Sequence, residues 1–280
     1  MAQYDTTWFE KGLAELEITL NEKQIEQFLT YYELLVEWNK VMNLTAITEY
    51  EEVITKHFLD SVASVKVCDY SKPMKILDLG TGAGFPGIPL KIAFPDQEIV
   101  LLDSLNKRVK FLNTVIETLG LTGIRAIHGR AEDYARHADY REQFDLRVSR
   151  AVANLSTLSE YCLPYVKTGG HFIPYKSGRI QEELTEAKTA IKILGGSLEK
   201  TVAVLGGAGV GAFACAEKLC FQQVFGDGTA VHGHQWPISA LAVGVQGARH
   251  QLFAGARFTV DEHGCHATCH FGNVLLERCM

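Results

Sequence analysis

Lys75-Ile76-Leu77-Asp78-Leu79-Gly80-Thr81-Gly82-Ala83-Gly84-Phe85-Pro86-Gly87 reads as a short apolar strand, a glycine-rich turn and the opening of a helix. Ile76, Leu77 and Leu79 suit a strand covered on both faces. Gly80, Gly82 and Gly84 let the backbone turn sharply and approach a ligand without a Cβ in the way. Pro86 and Pro89 are tolerated only in a first helical turn, so the spacing predicts a helix from near Phe85. Gly82-x-Gly84-x-x-Gly87 fits the dinucleotide pattern literally. Asp78 narrows that reading: a carboxylate just before the glycines repels a pyrophosphate. It suits a ligand with a cationic amino-acid end, such as the methionine part of S-adenosylmethionine. The alternative is that Asp78 caps the turn by accepting backbone N–H groups.

Downstream of the turn, apolar runs alternate with amphipathic ones. Glu98 to Asp103 is a strand ending in an acid, 23 positions after Gly80 (103 minus 80). An acid there suits hydrogen bonding to ribose hydroxyls. Strands are expected at 124–127, 144–149 and 171–176, and helices at 106–119, 155–163 and 180–194. The alternation predicts a mostly parallel sheet with helices on both faces. Its ligand site lies beyond the carboxyl ends of the strands, where Asp78, Asp103, Ala131-Glu132 and Arg150 all fall.

Upstream, residues 10–20 and 22–38 have helical spacing, with Asn21 and Gln24 as a capping box. Trp38 is expected to pack as a lid on the core, and His57 to be structural rather than catalytic. The chain of 280 residues has a formal net charge of −6, which provides no global attraction to nucleic acid, so RNA binding requires a local basic patch. No apolar run reaches the ~18 residues of a membrane helix. The first residues lack a signal-peptide pattern, so a cytoplasmic location is expected.

Three stretches extend the pattern: Glu37-Trp38-Asn39-Lys40 with Asn43-Leu44-Thr45; Lys56-His57-Phe58-Leu59-Asp60-Ser61; and the glycine turn itself. Leu102-Asp103-Ser104-Leu105-Asn106-Lys107-Arg108, Arg130-Ala131-Glu132 and Ser149-Arg150-Ala151-Val152-Ala153 follow them. Together, over about residues 8–200, they resemble the RsmG (GidB) methyltransferases of bacterial small-subunit ribosomal RNA. The resemblance implies a class I, Rossmann-like methyltransferase fold with S-adenosylmethionine as methyl donor. It implies N7 of a guanine in the 530 loop of 16S rRNA as acceptor, and so the 30S subunit as partner. Carried over by position, Gly80, Phe85, Ala131, Glu132 and Arg150 are cofactor-contact positions, beside Asp78, Gly82, Gly84 and Asp103. Guanine N7 carries an in-plane lone pair and no proton, so catalysis requires positioning rather than a general base. Arg150 is read as orienting the cofactor or bonding guanine O6, the alternative being a structural pairing with Asp78 or Glu132. Lys176 is read as contacting rRNA phosphate or O6, the alternative being a solvated lysine. A dinucleotide-dependent oxidoreductase, and a disabled protein that only binds RNA or cofactor, are the competing readings.

Three features depart from the family pattern. Arg147 lies within the fourth strand, where a buried guanidinium without partners is costly. Pro174 lies within the fifth, which needs its N–H. From Thr201 onward nothing matches, apart from Thr201 to Leu205 as a sixth strand. The last 80 residues hold five cysteines, six histidines and one lysine. The expected organisation is therefore a helical extension over 1–70, a methyltransferase domain over 71–205 and an atypical segment over 206–280. Gly206 to Gly211 lacks the strand–turn–helix frame of a second nucleotide loop. His263, Cys265, His266, Cys269 and His270 are of metal-binding types, but zinc ligands usually come as separated pairs, so no metal site is expected.

Overall fold

A computed structural model of the chain describes residues 4–150, 153–177, 180–204 and 216–223. Helices α1 (Thr7–Glu15) and α2 (Glu22–Met42) lead into a continuous helical run. That run consists of α3 (Tyr50–Val53), a π-helix (Ile54–Leu59), α4 (Asp60–Val62) and a 3-10 turn (Ala63–Lys66). Strands and helices then alternate: β1 (Lys75–Leu79), α5 (Gly87–Ala93), β2 (Glu98–Asp103), α6 (Asn106–Thr118), β3 (Ile124–His128), α7 (Ala131–Tyr134) and β4 (Phe144–Ser149). After them come α8 (Leu155–Cys162), β5 (Val166–Ser177), α9 (Ile180–Ile193), β6 (Gly196–Val204) and β7 (Ala216–Gln223).

The strands form one sheet in the order β3-β2-β1-β4-β5-β7-β6. The first five are parallel, and β7 runs antiparallel to both β5 and β6. This is the mostly parallel α/β architecture the sequence predicts. The strand order reverses between β1 and β4, so the crevice at their carboxyl ends is the ligand position of such sheets.

The two-residue period of the strands sorts their side chains by face. On one face Ile76, Ile99, Leu101, Leu146, Val148 and Ile173 share a core with Phe9, Phe28, Tyr31, Leu35 and Phe58 from the N-terminal helices. On the other, Leu77, Leu79, Val100 and Leu102 pack with Phe144 and Tyr165, beside a cluster built from α8, β5 and α9. The N-terminal helices thus form one wall of the main core rather than a separate lobe. Phe28, Tyr31, Leu35 and Phe58 are each wholly buried, worth roughly 1.5–3 kcal/mol apiece. Trp38 packs with its ring 5.6 Å from Phe111, as expected of it.

Local signals held where the chain supplied its own caps. Asn21 accepts the Gln24 N–H at 2.9 Å and Gln24 Oε1 accepts the Asn21 N–H at 2.9 Å, so α2 starts where the capping box puts it. The helix predicted over 10–20 instead lies at Thr7–Glu15, because Glu17 takes a left-handed conformation (φ 61°) and closes the helix end. Helix α5 begins at Gly87 rather than near Phe85, after a turn in which Gly84 takes φ 101°.

The two core anomalies are accommodated. Arg147 is fully buried, yet its Nη1 donates to the Leu77 carbonyl at 2.7 Å and to the Val148 carbonyl. Its Nη2 donates to Cys162 Sγ at 3.2 Å, and the guanidinium lies 5.8 Å from the Tyr165 ring centre. Only its Nε lacks a partner among the described residues. Pro174 stays in register with Ser149 of β4, while the register to β7 passes over Ile173 and Pro174. Pro174 therefore sits where that ladder is interrupted, and the expectation that it damages the sheet does not hold.

The sheet also extends past the compositional boundary near residue 206. β7 lies between β5 and β6 and supplies hydrogen-bond partners to both. All described residues belong to one compact unit within Met1–Ala230. Gly206 to Gly211 and the His263–His270 cluster lie outside the described residues.

Candidate active site at the carboxyl ends of the strands

The glycine turn is built on two carboxylates. Asp78 lies one residue before the end of β1 and is wholly buried. Its Oδ2 accepts the Thr81 hydroxyl at 2.7 Å and the Gly87 N–H at 2.8 Å, while its Oδ1 has no partner among the described residues. One oxygen thus caps the turn, as the structural alternative held, and the other is left unsatisfied. Burial pushes the carboxyl up to about 6, opposed by the Thr81 and Gly87 hydrogen bonds and by the Arg147 and Arg150 charges. Asp103, at the end of β2, accepts the Gly82 N–H at 2.9 Å through Oδ2 and the Leu105 N–H at 2.8 Å through Oδ1. Arg108 approaches it at 3.4 Å. Its carbonyl accepts the Gly129 N–H at 3.1 Å, tying in the loop after β3.

The glycines divide by role. Gly80 (φ 68°) and Gly82 (φ 63°) adopt left-handed conformations, and a Cβ on Gly80 would meet nothing within 4 Å; on Gly82 it would meet only the Gly80 carbonyl, at 4.0 Å. The space above this backbone is open. Gly84 is a packing glycine, since a Cβ there would lie 2.5 Å from Ile88 and 2.7 Å from the Tyr31 hydroxyl. Tyr31, reaching from α2, also donates to the Ala83 carbonyl, so an N-terminal helix supports the turn from below. An unsatisfied carboxylate oxygen at Asp78 and an open, left-handed glycine backbone in the turn after it together fit a ligand that brings its own hydrogen-bond donors.

Phe85 is buried at the meeting of three elements. Its ring lies 5.4 Å from Tyr31, 4.6 Å from His57 and 4.7 Å from the guanidinium of Arg150. Arg150 donates to the Lys56 carbonyl at 3.0 Å and faces Asp60 Oδ2 at 3.6 Å. Its pairing partner is therefore Asp60, not the Asp78 or Glu132 that the structural alternative named. Both ring nitrogens of His57 are engaged. Its Nδ1 lies 3.0 Å from the Lys56 carbonyl and its Nε2 2.9 Å from the Thr45 hydroxyl. A carbonyl only accepts, so Nδ1 carries the proton and Nε2 accepts from Thr45. Burial, with Arg150 next, pulls its pKa down to about 4, keeping the ring neutral at pH 7.

Ala131 and Glu132 open α7 after β3. The Ala131 carbonyl accepts from the Tyr165 hydroxyl at 2.5 Å, and Glu132 lies 3.4 Å from Arg130. The structure thus joins Asp78, Gly80, Gly82, Gly84, Phe85 and Asp103 into one bonded unit, adds Arg150 through Phe85, and sets Ala131 and Glu132 at the neighbouring strand end. Lys176 stands apart. It is 7% exposed, and its ammonium donates to the Ala153 carbonyl at 2.7 Å and pairs with Glu183 at 2.8 Å, so the reading of a solvated lysine does not hold. Sequence reasoning overlooked Thr81, Tyr31 and the pairing role of Asp60. The His57/Asp60 spacing was the one available signal, since it places both side chains on one helical side.

Among the described residues no helix is long and apolar enough to cross a membrane. A sequence model of the family described as rRNA small subunit methyltransferase G matches residues 24–208. A curated protein of that name from Lachnoclostridium phytofermentans is 60% identical over 198 residues, covering 71% of this chain and 82% of that protein. Namesakes from Clostridium tetani (52% identical; 67% of this chain, 78% of that protein) and Staphylococcus carnosus (50% identical; 75% and 89%) are similarly close. With the strand-end carboxylates and the glycine turn in place in an α/β sheet, this chain belongs to the rRNA small subunit methyltransferase G family.

Proposed function

We propose that the protein transfers a methyl group from S-adenosylmethionine to N7 of a guanine in the 530 loop of 16S rRNA, acting in the cytoplasm on the 30S subunit. The observations that support this reading are the buried Asp78 oxygen without a partner among the described residues and, in the turn that follows it, the open Gly80 and Gly82 backbone. A cationic amino group supplies the missing donor; a pyrophosphate supplies none and adds repulsion. S-Adenosylmethionine, when bound, supplies an electrophilic methyl on a sulfonium. Asp78 would hold its ammonium group and Asp103 its ribose hydroxyls. The Gly80 and Gly82 backbone, Phe85, Ala131 and Glu132 would line the remaining contacts, and Gly84 holds the turn's shape.

The chain's own task is then positioning. Guanine N7 has no proton to lose, so alignment of its lone pair supplies most of the rate. Arg150 donates to guanine O6 and fixes the base in plane. His57, with both ring nitrogens engaged, serves the fold. Lys176 ties the Ala153 carbonyl, just before α8, to Glu183 of α9. The test is methyl transfer to 30S particles that lack the modification, with the product nucleoside identified by mass spectrometry. The expected product is 7-methylguanosine at one position. A different methylated atom, or no transfer, overturns the reading. Saturating S-adenosylmethionine is expected to stabilise the fold by about 2.7 kcal/mol at ~100 times its Kd.

A further inference from the structure

The helical run from Tyr50 to Lys66 contains a π-helical turn at Ile54–Leu59. Such turns cost regular hydrogen bonding and recur at functional sites. Here the consequence is specific. The Asp60 N–H bonds the Thr55 and His57 carbonyls, so the Lys56 carbonyl skips its α-helical partner, Asp60. It accepts from Arg150 Nη1 at 3.0 Å, beside the His57 Nδ1–H at 3.0 Å. The same turn brings the Asp60 carboxylate to 3.6 Å from that guanidinium and His57 to 4.6 Å from the Phe85 ring. Arg150 is thereby held on three sides, by a carbonyl, a carboxylate and the face of Phe85 at 4.7 Å. Two of the three come from one turn of the N-terminal run, 94 and 90 residues away (150 minus 56 and 150 minus 60). The side chains of Arg150 and Asp60 are 21% and 20% exposed, so the guanidinium is half-sheltered, as a group that must meet a base without swinging freely requires.

We infer that Asp60 is a positioning residue for methyl transfer: it acts through Arg150, and the N-terminal π-helical turn is part of the catalytic apparatus rather than a packing wall alone. An arginine side chain loses much rotamer freedom when fixed. Asp60 and the Lys56 carbonyl remove that freedom before the base arrives. A group misplaced by about 1 Å costs on the order of a hundredfold in rate. This inference rests on the reading that Arg150 meets the substrate.

The test uses the full chain, unmodified 30S particles and four variants: Asp60→Asn, Asp60→Glu, Arg150→Ala, and Asp60→Asn combined with Arg150→Ala. Asp60→Asn is expected to lower kcat about tenfold to a hundredfold, with S-adenosylmethionine affinity by calorimetry and Tm essentially unchanged. Asp60→Glu, whose charge is displaced by one methylene, is expected to fall between. The double variant is expected to be no slower than Arg150→Ala, because the effect of Asp60 on the rate passes through the Arg150 guanidinium. Additive losses, or a wild-type kcat for Asp60→Asn beside a slow Arg150→Ala, overturn the inference and leave the role of Arg150 standing. A wild-type kcat for Arg150→Ala overturns the reading of Arg150 and the inference with it. Should Asp60→Asn fail to fold, Asp60→Glu in the Arg150→Ala background carries the coupling: no further loss is expected, and a further loss refutes it.

Discussion

Asp78→Asn separates stability from function at one atom. The carboxyl is wholly buried with one oxygen unpartnered, and burial moves it from its ordinary 3.8 to about 6. Such a displacement corresponds to about 3 kcal/mol at ~1.4 kcal/mol per pH unit. The sign follows from linkage. A carboxyl whose folded pKa lies above its unfolded value favours the folded state when protonated. Its penalty is absent below about pH 4, grows between about 4 and 6, and is complete at pH 7. Asparagine resembles the protonated form: it still accepts from Thr81 and Gly87 and carries no charge. In urea titrations without ligand at pH 7.5 the variant should therefore be more stable than wild type, by up to about 3 kcal/mol. The difference should shrink toward zero as pH falls from 6 to 4, and other carboxylates cancel in that comparison. Binding should move the other way. Removing a charge-assisted partner costs roughly 1.5–3 kcal/mol, so S-adenosylmethionine affinity should fall about tenfold to a hundredfold. Wild-type affinity should itself weaken as pH drops through 6. A less stable Asn variant at pH 7.5, or a stability difference that does not vary with pH, would refute the reasoning.

Asp103→Ala should carry the opposite sign in the ligand-free protein. It strips acceptors from the Gly82 and Leu105 N–H groups, so urea titration should show a loss of about 1–3 kcal/mol, and no loss would mean water replaces the carboxylate freely. Arg147→Met, which fills the same space without a charge, should stay within about 1.5 kcal/mol of wild type, while Arg147→Ala should cost about 2–5 kcal/mol through the cavity it leaves; equal effects would show that the guanidinium's polar contacts, not its volume, matter. Lys176→Ala takes the cationic partner from Glu183, which keeps the Leu155 N–H, and strips the Lys176 donor from the Ala153 carbonyl, and should lower stability by about 1–3 kcal/mol. Adding Glu183→Gln should cost less than the sum, and strict additivity by denaturation would rule the pair out. Ending the chain after residue 205 removes β7, leaving a row of unpaired groups along β5 and β6 without its partner strand. Size-exclusion chromatography should then show larger species than the full chain gives, and an assembly state and Tm equal to those of the full chain would deny β7 its place in the sheet.

Elements whose cause is local were legible in the order of residues. Alternating apolar strands at Glu98–Asp103 and Phe144–Ser149, the Asn21 capping box and the glycine turn all depend on neighbours within a few residues, and all lie where pattern places them. The motif set was enough to name the family before any contact was known. It did not locate β7, because a strand containing Glu217, Lys218, Gln222 and Gln223 after a glycine-rich run has neither a clean period nor a continuous apolar stretch; its place follows from partners on β5 and β6. Tertiary structure alone decided what each charge meets. Arg147 and Pro174 looked like flaws until carbonyls, a thiol and an interrupted ladder gathered around them. Arg150 has Asp60 for a partner, across 90 positions (150 minus 60), because a π-turn and the end of β4 converge on Phe85. Side-chain tips pair across whatever distance the sheet order closes, and that order is set by the burial of the whole core rather than by any one stretch of chain.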